Sequence, residues 1–449
     1  MTNIAENFVP SPAAIVTPAV TTNPQLDDPF LAWEDLTPSI QESARNSLKA
    51  YLAEMDELGR ENRWSDVLAL FWPVEEKLPE LAAAGLDLPI RAKLGFALGQ
   101  LHRFDEAITE LTICVDREPQ DHMYQGSLAY TAYNSLFAAK NKEIFLSGHP
   151  RQERIDLAHT HFQKAQSLCP DRVTNFYREG MLYRKVEGKP EQAVPLSQTA
   201  VANWDNLDAE QKKHRHQERK NFVKALYNLP STFLELESPH KSLALLERCL
   251  KEDETSHYMS DWFQYFALGK VTYQLGRFPA SRDALIYAAQ IKDAGPRDFV
   301  FELLARTELA LGQPEQALAA INQIPERKRR PYYRWTEADV WCAFKDFSRA
   351  RTVLLACQER DSRSKHVALI RLTKIDYLLG DFQNAFEHAQ QANQFFLERF
   401  GNPYGVALFW QALTALRLNR QDQARALALE LKDFNPRFPK LERLLHEIG

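Results

Sequence analysis

Four histidines stand two residues apart in pairs, His159 with His161 and His214 with His216, and closely spaced imidazoles are raw material for a metal site. Both pairs fall in segments of helical periodicity, where a two-residue step turns side chains to different faces. Solvated histidines are the expectation, and no metal is predicted. The cysteines point the same way. Cys114, Cys249 and Cys357 each take the last small position of a helical segment and Cys169 directly precedes Pro170, places where a thiol acts as a small buried hydrophobe. No Cys-x-x-Cys pair exists and the count of five is odd, which argues against a zinc ribbon or a disulfide framework. No Gly-rich phosphate loop, HExxH or GxSxG sequence is present either. The sequence therefore offers no catalytic residue and no cofactor site, and predicts a protein that is not an enzyme.

Two basic clusters offer a different chemistry: QKKHRHQERK at 211–220 and ERKRRPYYRW at 326–335. The second mixes Arg327, Lys328, Arg329, Arg330 and Arg334 with Tyr332, Tyr333 and Trp335, the combination that neutralises and stacks on single-stranded nucleic acid. Pro325 and Pro331 bracket it as a turn, however, and the chain carries a formal net charge of −5. A dedicated nucleic-acid binder usually carries a basic domain, so nucleic acid is not the expected partner.

Any such chemistry needs elements to hold it. Small residues recur at Val67, Ala107, Ala158, Ala193, Ser242, Ser281, Ala317, Ala350, Ala385 and Ala424, at steps of 40, 51, 35, 49, 39, 36, 33, 35 and 39 residues. A step in the mid-thirties is the signature of stacked helical hairpins. In residues 91–119, Leu94, Gly95 and Leu98 share one face of a first helix, while Phe104, Ala107, Leu111 and Cys114 share one face of a second, which Pro119 closes. Gly95 and Ala107 are small because a large side chain at the crossing would push the two backbones apart.

Those crossing residues, the aromatic before the second helix and the terminal proline resemble the tetratricopeptide-repeat (TPR) superfamily. Residues 267–289 carry Leu268, Gly269, Gly276, Phe278, Ser281, Leu285 and Ala288; residues 308–321 carry Gly312, Ala317 and Ile321; and IDYLLGDFQNAFEHAQQA carries Gly380, Phe382, Ala385, Ala389 and Ala392. The resemblance spans residues 40–445, with degenerate crossings at Val67 and Ser242 and longer first helices or loops around Ala158 and Ser242. It implies an all-α fold, an α-solenoid built as a right-handed superhelix of about nine or ten antiparallel helix pairs. The array would fill residues 37–449, behind an extended or disordered tail at 1–36.

In that family the first helix of each pair lines the concave face, and the inward positions flank the small crossing residue. Carried over to this sequence, they are Tyr177, Met181 and Arg184; Phe266, Lys270 and Tyr273; Glu302 and Arg306; Trp335 and Asp339; and Ile370, Lys374 and Tyr377. The resemblance thus implies a partner-binding groove on Tyr177, Arg184, Phe266, Lys270, Tyr273, Arg306, Trp335, Lys374 and Tyr377. Its alternating cations and aromatics suit a protein or peptide with acidic or aromatic side chains. The competing reading packs the aromatics on the neighbouring repeat and pairs the cations with Glu302 or Asp339. The Lys and Asn set by which some members clamp a chaperone's C-terminal carboxylate is absent, since Ala92 and Phe96 hold those places. The implied function is a non-catalytic scaffold or adaptor. The alternatives are a regulatory sensor that binds a small peptide or ligand and controls an effector, and single-stranded nucleic-acid binding.

Composition agrees with an array. The chain has 449 residues, 45% of them hydrophobic, and only 16 glycines, about half the usual usage of roughly 7%. Residues 1–26 hold four prolines and no Lys or Arg, which suits neither a secretory signal nor a transit peptide. No run approaches the roughly 18 apolar residues of a membrane span, so a cytoplasmic protein is expected. Residues 27–36, DDPFLAWEDL, join four carboxylates to Phe30, Leu31, Trp33 and Leu36, a chemical complement of the implied groove. This segment either docks in such a groove or covers the end of the first helix pair, ahead of a helix start at Thr37 and Pro38. At the far end Leu441, Leu444, Leu445 and Ile448 share one side of a short helix that would cap the last repeat.

Overall fold

The computed structural model describes residues 31–291 and 297–449. Among them the chain forms 24 α-helices and no strand. Packing divides it into two compact units, with the boundary between Ser238 and Pro239.

Unit 1 contains α1 (Leu31–Arg60), α2 (Trp64–Phe71), the short α3 (Val74–Lys77) and α4 (Pro79–Ala83), α5 (Leu88–Gln100), α6 (Phe104–Arg117), α7 (His122–Lys140) and α8 (Gly148–Leu168). It continues with α9 (Thr174–Met181), which runs on as a π-helical turn over Leu182–Glu187, then α10 (Pro190–Asp205), α11 (Ala209–His214) and α12 (Arg219–Glu235). Consecutive helices pack as hairpins: α1 with α2, α5 with α6, α7 with α8, and α9 with α10. Unit 2 contains α13 (Leu243–Asp253), α14 (Asp261–Gln274), α15 (Phe278–Gln290), α16 (Asp298–Ala310), α17 (Pro314–Asn322), α18 (Pro331–Ala343) and α19 (Phe347–Arg360). It ends with α20 (Lys365–Leu378), α21 (Phe382–Phe400), α22 (Gly405–Arg417), α23 (Gln421–Phe434) and α24 (Leu441–Ile448). Its hairpins are α14/α15, α16/α17, α18/α19, α20/α21 and α22/α23.

The recurrent small residues are where the helices cross. None of the ten is more than 1% exposed. A Cβ added to Gly95 would lie 2.7 Å from Leu111 Cγ, and one added to Gly269 would lie 2.6 Å from Leu285 Cγ. Both are below any ordinary carbon contact, so glycine at these first-helix positions sets the helix separation. Hairpin turns are equally uniform. In α14/α15, α16/α17, α18/α19 and α20/α21 the chain passes through a left-handed residue, Gly276, Gly312, Lys345 or Gly380. The next N–H then donates back to a carbonyl five residues earlier, as Asp346 N does to Trp341 O at 2.9 Å. This is a Schellman close, which satisfies carbonyls a helix end leaves orphaned.

Unit 1 also buries charge. Arg91 on α5 is 1% exposed and donates to Asp87 at 2.5 Å, to Glu110 at 2.7 Å and to Glu75. Arg117 donates to the other Asp87 oxygen at 2.7 Å, and Trp72 Nε1 donates to Glu110 at 2.9 Å. Burial opposes ionisation of Asp87, but its hydrogen bond from Arg91 and those beside it prevail and hold the carboxyl below its ordinary value.

The helix start expected at Thr37 and Pro38 falls inside α1, which is already helical at Leu31. The tail before residue 31, with the first part of the acidic and aromatic segment, lies outside the described residues. Leu441, Leu444 and Ile448 of α24 are buried among Leu408, Ala428 and Leu431, as a cap requires. None of the five cysteines forms a disulfide. Burial pushes the Cys114 and Cys249 thiols up to about 12, so they are inert packing groups. No described helix is long and apolar enough to cross a membrane.

Candidate partner-binding groove

Unit 1 holds a groove whose walls come from successive first helices, with a cavity volume of about 140 Å³. Ala92 and Phe96 of α5, Met123 of α7 and Leu111 of α6 form its apolar side. The polar side comes from His122, Arg172, Asn175, Arg178, Glu218 and Asn221. Local chemistry fixes the mouth of α7: Asp121 caps that helix and accepts from Met123 N at 2.6 Å and Tyr124 N at 3.2 Å. The cap places His122 and Met123 on the first turn, facing the groove. Gly126 lets α7 approach α9, since a Cβ there would stand 2.7 Å from Asn175 Oδ1.

Most charge around this groove is already matched. Glu218 accepts from Arg172 at 2.5 Å and from the backbone N–H of Val173 at 2.7 Å, and Arg178 lies over the Tyr130 ring at 3.6 Å. Asn221 is 7% exposed and donates to Thr174 Oγ1 at 3.0 Å, while its Oδ1 has no partner. His122 Nε2 likewise has none. Burial, and then the Arg172 charge, hold His122 below its usual value, so the ring is neutral at physiological pH. The groove therefore sets an apolar wall beside a polar one whose charged groups, Arg172, Arg178 and Glu218, are engaged with neighbouring side chains.

Tyr177 and Arg184, expected on this stretch, face into the fold instead. Tyr177 is buried, and its Oη accepts from Asn228 at 3.4 Å. Arg184 is buried too, paired with Glu235 at 2.7 Å and donating to Asn228 Oδ1 at 3.0 Å. Both side chains tie α9 to α12.

The remaining expected residues lie on the first helices of unit 2. Arg306 sits 4.9 Å from the Tyr273 ring centre and 4.0 Å from Glu302. Glu302 accepts from Thr336 Oγ1 at 2.6 Å; burial raises its pKa against the pull of Thr336 and Arg306. Phe266 meets Phe299 edge-on at 4.6 Å. Trp335 is half-buried beneath Arg371, at 5.6 Å, and Arg371 in turn bonds both Asp339 oxygens at 3.1 to 3.3 Å. Tyr377 packs edge-on to Trp410 at 5.5 Å and accepts from Arg417 at 2.8 Å. Lys270 and Lys374 are exposed. Sequence reasoning missed Arg371, Trp410 and Arg417, all on first helices of this unit.

The histidine pair on α8 is not solvated, which corrects the expectation. His159 bridges Glu179 at 2.8 Å and Glu187 at 2.7 Å, and His161 bonds Gln125 at 2.6 Å. Different faces is right, but α7 covers one face of α8 and α9 the other. His214 and His216 are exposed. In the basic cluster at 326–335, Arg329 pairs with Glu337 at 2.8 Å, and Arg334 reaches Glu337 at 2.9 Å and Glu326 at 3.3 Å. Those cations serve the turn before α18. Among the described residues no group of three His, Cys, Asp or Glu converges as a metal site.

No family model and no curated protein matches the sequence. Solved structures do. The apo form of RapI aligns at a TM-score of 0.52 with 11% identity, over 81% of this chain and 99% of that one. A tetratricopeptide repeat protein from Parabacteroides merdae aligns at 0.41 with 15% identity, over 64% and 98%. YrrB, a TPR protein with an unusual peptide-binding site, aligns at 0.35 with 15% identity, over 47% and 89%. The likeness to RapI is one of fold: an all-α array of helical hairpins.

Proposed function

We propose that this protein is a non-catalytic interaction scaffold that holds an extended segment of a partner protein against the faces of its first helices. The observation that carries this reading is the unit-1 groove, where α5, α7, α9 and α12 contribute side chains to one concavity. In unit 2, Phe266, Lys270, Tyr273, Arg306, Trp335, Lys374 and Tyr377 offer large contact area with cations between, which suits an acidic or aromatic-bearing segment.

Affinity purification with mass spectrometry tests both surfaces. Wild type is compared with a Lys270→Glu, Arg306→Glu, Lys374→Glu variant and with Ser127→Phe in the unit-1 groove, each checked for an unchanged melting profile. One stoichiometric protein partner, lost in at least one variant, is the expected result. A partner that survives both would remove the surface assignment, and retention of no protein would remove the scaffold reading.

A further inference from the structure

The end of α9 departs from the repeat and sets two acidic side chains around one histidine. Gly180 and Ala193 make the helix crossing of this hairpin, where a Cβ on Gly180 would fall 3.1 Å from Ser197 Oγ. They stand 13 positions apart, whereas Gly95 and Ala107, or Gly269 and Ser281, stand 12 apart. The extra residue is taken up in the π-helical turn Leu182–Glu187, a wider turn of the kind that recurs at functional positions. We propose that this turn is a proton-controlled clasp: protonated His159 of α8 holds it shut by bonding Glu179 and Glu187 at once, and loss of one proton releases the Glu187 end. This regulation goes beyond the scaffold reading and does not depend on which partner the protein holds.

The geometry requires the charge. His159 Nδ1 lies 2.8 Å from Glu179 and Nε2 lies 2.7 Å from Glu187. The two acidic side chains are only 2% and 9% exposed, so water does not stand in for the ring. Glu179 also accepts from Gln163 at 3.2 Å and Gln166 at 2.5 Å, and Glu187 from Lys189 at 2.6 Å. Both act as acceptors, and a ring that serves two acceptors needs a proton on each nitrogen. Burial opposes the imidazolium, but its bonds to Glu179 and Glu187 prevail and raise its pKa. Burial likewise opposes ionisation of Glu187, and the bonds from Lys189 and His159 hold its carboxyl below the ordinary value. The charged and titratable groups facing the ring are thus Glu179 from α9, Tyr183 and Glu187 from the turn, and Lys189 just after it, with the Tyr183 ring 4.3 Å away. Lys140 of α7 and Arg151 of α8 strap the same turn through its backbone, at Lys185 O and, at 3.1 Å, Val186 O. Histidine is the side chain whose charge changes near neutral pH, so among these ties His159 is the one that responds.

On deprotonation Nε2 gives its proton to solvent, while Nδ1 keeps its bond to Glu179, the deeper carboxylate and the one anchored by Gln163 and Gln166. A lone pair then faces Glu187, whose other partner Lys189 is 51% exposed, so this end of the turn swings out towards water. Arg184 of the same turn pairs with Glu235 of α12, and Asn175 and Arg178 of α9 line the groove, which places the clasp where one groove wall is anchored. The hold is complete below the unfolded histidine value of about 6.5 and fades as pH rises through the raised folded value.

Hydrogen exchange of the full chain, read by mass spectrometry over residues 182–189 and divided by the random-coil rate at each pH, tests the clasp. Between about pH 6 and about pH 9 the protection of that segment in wild type is expected to fall at least about tenfold, the scale of a lost bond to a charged group, while that of α5 and α6 holds. His159→Gln should be open across the range, because its single nitrogen does not reach both carboxylates. Glu187→Gln should be shut across it, because its amide donates to the neutral ring and accepts from the charged one, and this variant decides the matter if His159→Gln fails to fold. Wild-type protection that does not change with pH, a response in Glu187→Gln equal to that of wild type, or a folded His159→Gln as well protected as wild type in acid overturns the clasp.

Discussion

The two units are made from one part and place their charge differently. Both cross their helices at a buried Ala, Ser or Val and at the closest approach use glycine, Gly95 in unit 1 and Gly269 in unit 2. Unit 1 then puts an arginine inside, with Arg91 held among Asp87, Glu110 and Glu75, and ties the charges that line its groove to one another, Arg172 to Glu218. In unit 2 the cations lie on the first-helix face, Arg306 over Tyr273 and Arg371 over Trp335, with Lys270 and Lys374 exposed. The crossing geometry constrains only the residues that touch across it. Everything else on a first helix is available either to the core or to a ligand, and the two units have used that freedom in opposite ways.

The largest effect should come from breaking the buried side of this contrast. Arg91→Met leaves Asp87 and Glu110 without their main counter-charge, and removing one partner of a buried pair costs about 3–5 kcal/mol. Arg371→Met removes a pair whose side chains are 29% and 43% exposed, for which about 1 kcal/mol or less is expected. Denaturant unfolding of both variants measures the difference. Asp87 carries the pH dependence: its folded pKa is depressed, so its contribution is present above the unfolded value of about 3.9 and is lost as pH falls through the folded value. The Arg91→Met deficit should accordingly be full at neutral pH and shrink in acid. Equal deficits for Arg91→Met and Arg371→Met would erase the distinction between the units.

Crossing glycines should behave alike in both. Gly95→Ala and Gly269→Ala each force a methyl into a leucine side chain of the facing helix, an overpacking expected to cost about 1–3 kcal/mol. Gly99→Ala is the control, since nothing lies within 4 Å of a Cβ there and alanine is the better helix former by about 1 kcal/mol. Melting of the three variants separates steric crowding from helix propensity.

These crossings were legible in the sequence because their constraint is local and repeats. The first-helix faces were legible only where the reading frame was set on the right glycine. Offsets of three before, one after and four after Gly126 give Met123, Ser127 and Tyr130, all on the groove, and the same offsets from Gly95 give Ala92 and Phe96. The frame taken from Gly180 gives Tyr177 and Arg184 instead, which pack against α12. Glu218 and Asn221 could not be found this way at all, because they reach the groove from residues some 45 positions beyond Arg172 and Thr174. Periodicity placed His159 and His161 on different faces of α8 without telling that both faces are covered, since that depends on the lengths of the neighbouring helices.

His159 sharpens the comparison through pH. Both ring nitrogens face carboxylates, so only the imidazolium can donate to Glu179 and Glu187 at once. Burial opposes that charge, but the bonds it donates to Glu179 and Glu187 outweigh it and raise the pKa. A raised folded pKa means the contribution is complete below the unfolded value of about 6.5 and fades as pH rises through the folded value. His159→Gln should cost about 2 kcal/mol, the scale of hydrogen bonds to charged groups, in slightly acid solution and progressively less in base. A pH-independent deficit would mean that the neutral ring does the same job.

The smallest effect concerns the turns. Lys345 occupies the left-handed position of the α18/α19 hairpin at φ 61°, where the flanking hairpins of unit 2 have Gly312 at 74° and Gly380 at 80°. A side chain in that conformation costs about 1–2 kcal/mol, and the greater freedom of glycine in the unfolded chain returns part of the gain. Lys345→Gly is thus expected to stabilise by about 0.5–1 kcal/mol, and Gly380→Ala to destabilise by about 1 kcal/mol. His102 holds the equivalent place in unit 1 at φ 61°, but its ring stacks on Phe104 at 5.7 Å. Replacing it with glycine forfeits that contact, so His102→Gly should gain less than Lys345→Gly in the same thermal unfolding experiment. A larger gain at His102 would mean that the ring contact contributes nothing and that the turns of the two units differ only in backbone strain.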